Sequence, residues 1–258
     1  MITSTSNARI KYVRQLQTSA RARQDAAAFV VEGVRLAEEA AASGWPASLV
    51  LYTHELNERG MALLPRLQAN GAAIFEVAPH VLKAASDTTT PQGILAVLAR
   101  QDYPLDSKID FALVLDNLRD PGNLGTILRT ASAAGVDAVL LPPGSTDPYA
   151  PKVVRSAMGA HFRLPVLQMD WENIQAICHR QHLEVFLASA AGSQRYTAAN
   201  FRQPCALLIG SEASGASQQA RQLPHTSVYI PMLSQVESLN AAVAAAVLMF
   251  EVLRQRGQ

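Results

Sequence analysis

Apolar residues in this chain fall into short, nearly unbroken runs separated by stretches of helical period. Within residues 1–100, strands are expected at 29–31, 48–52, 73–77 and 93–98, with helices over 34–42, ending at Gly44, and 60–69, closed by Asn70-Gly71. Residues 101–108, Gln-Asp-Tyr-Pro-Leu-Asp-Ser-Lys, break the pattern with turn formers and charge. They divide a small α/β domain (1–100) from a second domain (109–258). There, strands at 111–115, 138–141, 164–167, 184–188, 206–209 and 228–230 alternate with helices over 123–134, 171–181 and 238–254. Short, fully apolar strands between helices predict a parallel sheet covered on both faces. Ligands bind such sheets beyond the carboxyl ends of the strands, so the loops after Leu115, Ile209 and Ile230 are the informative ones.

The chain has 258 residues, 49% hydrophobic and 17% charged, enough for two packed cores. A net charge of +1 argues neither for nor against nucleic acid, but its distribution is uneven. Arg9, Lys11, Arg14, Arg21, Arg23 and Arg35 stand against only Asp25 and Glu32, as a phosphate-binding face would, or equally a solvated helix face. The acid-free, Ser/Thr/Arg-rich residues 1–24 also fit an organelle transit peptide, yet they run without a linker into folded-looking sequence. Cys178 and Cys205 match no zinc spacing and no disulfide framework, which points to a reducing, cytoplasmic setting and no metal. The most apolar run, 239–250, falls short of the roughly 18 residues a membrane span needs.

Three loops carry candidate chemistry. The first, 116–129, ends a strand, turns at Pro121-Gly122 and opens a helix near Asn123. Taken alone, Asn123 reads as an N-cap and Arg129 as a surface ion pair. The two lie six residues and about 120° apart on a helix, so one face cannot present both unless Asn123 precedes the helix. The second, Ile209-Gly210-Ser211-Glu212-Ala213-Ser214-Gly215, allows close backbone approach to a ligand. It lacks both the phosphate-loop ending and the dinucleotide glycine spacing, and Glu212 would repel a phosphate. The third joins Ile230-Pro231-Met232 to Ser238-Leu239-Asn240, with Ser238 the expected cap of an alanine-rich final helix that suits close packing in a core or a subunit interface.

In this order and spacing the loops resemble the three signature motifs of the SpoU/TrmH family of S-adenosylmethionine-dependent RNA ribose 2′-O-methyltransferases. Asn117 to Arg129 resembles the first, Ile209 to Gly215 the second except at Ala213, where the family pattern has glycine, and Ile230 to Met232 with Ser238 to Asn240 the third. Asn7 to Lys11, Phe29 to Arg35 and Thr90 to Ile94 are similar to the substrate-binding domain of the family's ribosomal RNA branch. The resemblance implies an α/β domain closed by a trefoil knot, a homodimer, and large-subunit ribosomal RNA as substrate. A transfer RNA ribose methyltransferase and a non-catalytic ribosome-assembly protein are the alternatives.

It further implies that Gly210, Ser211, Ile230, Met232 and Leu239 contact the cofactor. Arg129 would act on the ribose, oriented with it by Asn123, Glu212, Ser238 and Asn240, and Arg9, Lys11, Arg14, Arg35 and Arg129 would meet RNA. A ribose hydroxyl attacks a sulfonium methyl only as its oxygen becomes more anionic, and a fixed cation stabilises that charge. A guanidinium keeps its protons, so Arg129 is expected to act electrostatically and not as a base.

Overall fold

The computed structural model describes residues 1–101, 108–211, 214–233 and 238–257. They form two compact units, one containing the chain up to the 101–108 boundary together with Tyr149–Phe162, the other containing the remainder.

In the first unit, strands β1 (Ala28–Glu32), β2 (Ala47–Tyr52), β3 (Ala73–Glu76) and β4 (Ile94–Ala99) form a mixed sheet in the order β1-β4-β2-β3. Helix α1 (Ala8–Thr18), capped by Asn7, buries Ile10, Val13 and Leu16 against the sheet face carrying Val30, Leu51 and Val97. The basic N-terminal stretch is therefore a packed helix of this unit. Next come α2 (Ala20–Asp25), α3 (Val34–Ser43), α4 (Glu58–Met61), α5 (Leu64–Ala69) and α6 (Pro79–Ala85). The single helix expected over 60–69 is two, because Pro65 has no N–H to donate to the carbonyl one turn back. The 149–162 excursion fills the other face of the sheet. Tyr149 and Val154 are buried with Phe29 and Trp45, and the Phe162 ring stands edge-on to Trp45 at 5.1 Å.

The second unit holds β5 (Phe111–Leu115), α7 (Pro121–Ala133), β6 (Ala138–Leu141), β7 (Val166–Gln168), α9 (Trp171–Arg180), β8 (Glu184–Ala188), β9 (Gln194–Arg195), β10 (Cys205–Ile209), α10 (Gln218–Gln222), β11 (Thr226–Tyr229) and α11 (Ala241–Gln255); the intervening α8 (Pro151–Ala157) belongs to the excursion. Its seven strands pair in the order β7-β6-β5-β10-β8-β11-β9, every pairing parallel, as the apolar runs predicted. Every residue of the central strands β5 and β10 is buried. The strand expected from 164 starts at Val166, since Pro165 cannot donate to a ladder. Because β5, β10, β8 and β11 are adjacent and parallel, the loops after them emerge at one end of the sheet's middle. The last helix is fastened at its far end, where Arg256 donates to the Asp110 carboxylate at 2.7 Å and to the carbonyls of Phe201 and Gln203.

Candidate functional site

Asp116 ends β5 fully buried, and its carboxylate accepts hydrogen bonds from the Ser217 N–H at 2.6 Å and the Asn117 side-chain amide at 3.0 Å. A buried carboxylate is tolerated only with such donors. Its partners here lie a hundred residues apart in sequence, so it ties the loop after β10 to the end of β5. Helix α7 starts at Pro121, earlier than expected, and its cap is Asp120, whose side chain accepts from Asn123 N–H at 2.7 Å. Asn123 therefore lies inside the first turn and is not the cap. A proline at the first helical position leaves the preceding residue to cap, which explains the shift.

The loop after β10 closes on itself. Ser211 and Gly215 exchange backbone hydrogen bonds of 3.0 and 2.9 Å, and the Ser211 hydroxyl accepts from Ser214 N–H. A Cβ on Gly210 would stand 2.4 Å from the Gly215 carbonyl carbon and 2.5 Å from the Ala216 nitrogen. The glycine thus gives the turn room to fold back. Glu212 and Ala213 lie outside the described residues.

The third motif is organised by Asn240. Its side-chain oxygen accepts from Ala242 and Val243 N–H, making Asn240 the cap of α11 in place of Ser238. Its amide nitrogen donates to the Asn123 Oδ1 at 3.1 Å, joining the first motif to the third across 117 residues.

Beyond the carboxyl ends of β8, β10 and β11 lies a cavity of about 240 Å³. Gly210 and Ser211 line it from the second motif, and Ile230, Met232, Ser238 and Leu239 from the third. All the residues expected at the cofactor are thus brought together, with Ser238 added. Leu187, Ile209, Val228 and Leu248 make its walls predominantly apolar. Contributors from two further segments escaped the sequence reading. Ser189 and Ala190 come from the loop after β8, where Gly192 lies so close to β11 that a Cβ would meet the Val228 carbonyl carbon at 2.6 Å. The small-residue run Ala188-Ser189-Ala190-Ala191-Gly192-Ser193 after an apolar strand was the available signal. Arg221 on α10 also lines the cavity; nothing in its sequence setting marks it.

Arg129 is not part of this lining. Its side chain is exposed and makes no hydrogen bond or ion pair among the described residues. Among the described residues no ion pair forms there, and α7 presents Arg129 about 120° round from Asn123. In the first unit Arg9, Lys11, Arg14 and Arg35 are exposed, but not as one patch. Arg9 stacks on the Phe75 ring at 4.1 Å, while Lys11 and Arg14 lie about 60° apart on another side of α1. Two other members of the supposed basic face are engaged: buried Arg23 donates to the Leu16 carbonyl, and Arg21 pairs with Asp25. Burial pushes the Cys205 thiol up to about 12 and that of Cys178 up to about 11, so neither supplies a nucleophile near neutral pH. Among the described residues no group of three or more His, Cys, Asp or Glu side chains is placed to hold a metal, and no helix is long and apolar enough to cross a membrane.

An all-parallel sheet with a glycine-closed turn, an asparagine-capped last helix and an apolar cavity between them defines the class: the chain belongs to the SpoU rRNA methylase family, whose profile matches residues 110–250. Residues 7–96 match the MRM3-like substrate binding domain. The chain is 35% identical to an uncharacterised tRNA/rRNA methyltransferase of Synechocystis, covering 99% of this chain and 94% of that one. It is 31% identical to the 23S rRNA (guanosine(2553)-2′-O)-methyltransferase RlmP of Bacillus subtilis, over 97% and 98% of the two chains. An AdoMet-bound rRNA methyltransferase from Sinorhizobium meliloti superposes with a TM-score of 0.88 at 28% identity, covering 98% of this chain and 97% of that one.

Proposed function

We propose that this protein transfers a methyl group from S-adenosylmethionine to a ribose 2′-hydroxyl of large-subunit ribosomal RNA. The observation that carries the reading is that the second and third motifs line one and the same cavity, in a chain of the SpoU rRNA methylase family. Its residues fit the cofactor: apolar walls suit an adenine, and no acid lines it among the described residues. Gly210, Ser211, Ile230, Met232 and Leu239 hold the cofactor, which when bound supplies an electrophilic methyl on a sulfonium.

The chain's own task is to position the ribose and make its oxygen more anionic. Arg129, exposed and without a partner among the described residues, is available to an RNA phosphate, and a cation there stabilises charge growing on the neighbouring hydroxyl oxygen. The proton leaves to water or phosphate. Asn123 and Asn240, joined to each other, orient the ribose with Ser238 and Glu212. The first unit binds RNA through Arg9, Lys11, Arg14 and Arg35, a role supported by its match to a substrate-binding domain. The second unit carries the family's trefoil knot, a reading supported by its match to the SpoU rRNA methylase family over residues 110–250. The protein works as a homodimer in the cytoplasm. An outward stripe on α11 of Val243, Val247 and Phe250, two of them about half exposed, supports the dimer.

The test is methyl transfer from labelled S-adenosylmethionine to ribosomal RNA, with the modified ribose mapped by its resistance to alkaline cleavage. Arg129→Ala should lower transfer by more than tenfold while cofactor affinity stays at the parent value. A smaller loss, under about 1.4 kcal/mol of barrier, removes Arg129 from the chemistry.

A further inference from the structure

We infer that Arg221 recognises the carboxylate of the methyl donor's amino-acid tail, an assignment that rests on the cofactor reading above. Arg221 is the one charged side chain among the described residues lining the cavity. Its Nε donates to the Ala216 carbonyl at 3.1 Å, which fixes the guanidinium at one end. Among the described residues the two terminal nitrogens make no hydrogen bond, and Nη2 lies 3.8 Å from where a Cβ on Gly215 would stand. The fork therefore overhangs the turn that floors the cavity.

What holds it there is the tie already described. The buried Asp116 carboxylate holds the Ser217 N–H, the Ser217 hydroxyl caps α10 through Ala220 N–H at 3.2 Å, and Arg221 follows one residue later. A side chain anchored through Nε with its outer edge open presents two parallel donors, the geometry that matches a carboxylate. S-adenosylmethionine bears two cationic groups, the sulfonium and the ammonium, and one anionic group. A fixed cation in the wall repels the first two and attracts the third, so among the ligand's charged groups it is the carboxylate that faces Arg221. The apolar remainder of the lining is left for the adenine.

The experiment compares two probes by calorimetry on the full chain: S-adenosylmethionine and decarboxylated S-adenosylmethionine, which lacks only the carboxylate. Wild-type protein should prefer the former, and Arg221→Gln should weaken it about five- to twentyfold while leaving the decarboxylated probe within about twofold. Arg221→Lys, which keeps the charge and loses the fork, should fall between. Equal losses for both probes, as a structural or adenine-facing role would give, overturn the assignment. So does an unchanged affinity for S-adenosylmethionine, even if ribosomal RNA binding falls. Wild-type protein that binds neither probe overturns the cofactor reading itself and the role of Arg221 with it.

Discussion

Replacing Gly210 with alanine adds one methyl group where there is no room for it. The new Cβ would sit 2.4, 2.5 and 2.6 Å from the Gly215 carbonyl carbon, the Ala216 nitrogen and the Gly215 oxygen. Carbon contacts relax only near about 3.5 Å, so the deficit approaches 1 Å. All three neighbours are backbone, so no rotamer change relieves the clash. The 211–215 turn must shift instead, at the expense of the paired Ser211–Gly215 hydrogen bonds. Overpacking of this kind costs about 1–3 kcal/mol. At about 2–4 °C per kcal/mol for a chain of this size, the melting temperature should fall by several degrees. The displaced turn also moves the cavity floor, so S-adenosylmethionine affinity should drop tenfold or more, since a misplacement of about 1 Å disrupts a fitted site. Calorimetric titration and a thermal melt on the same preparation read both effects. A Gly210→Ala protein with the parent melting temperature and a Kd within about twofold of the parent would refute the reasoning.

Three further outcomes are expected. Asp116→Asn keeps the shape but sets an amide against one of the two N–H donors, Ser217 or Asn117; it should cost about 1.5–3 kcal/mol by denaturant titration and weaken cofactor binding through the loosened α10. Asn240→Ala removes the α11 cap and the link to Asn123; about 1 kcal/mol of stability should go, and methyl transfer should fall more than cofactor affinity, a pattern that equal losses would contradict. The two buried thiols are raised in the folded state, so below pH 9 they leave stability unchanged. Between about 9 and 11–12 the unfolded chain ionises them first, and stability should fall by up to about 1.4 kcal/mol per pH unit for each thiol. Cys178→Ala/Cys205→Ala protein should show a shallower alkaline decline, and an unchanged slope would count against the account.

Local pattern alone was enough for the α/β class, the parallel sheet and the three loops, because a doubly covered strand must be apolar throughout and its ligand loops follow it directly. Residues 205–215 show this well: an all-buried strand, then Gly210, then a serine-rich turn. Capping was misassigned at both helix starts that matter. Asn123 and Ser238 are each plausible caps by residue type, and only backbone geometry selects Asp120 and Asn240. Proximity across the chain lay beyond local pattern altogether. Nothing near Asp116 announces Ser217, nothing near Asn123 announces Asn240, and Arg221 reads as one more arginine on a short polar helix. The insertion of β10 beside β5 makes the first pair neighbours, and the packing of α11 on α7 the second. Strand order is decided by which apolar faces bury together over the whole unit, an energy that no window of sequence contains. Local periodicity thus determined the elements and where ligand loops emerge, while tertiary packing decided which loops share a cavity and which charge lines it.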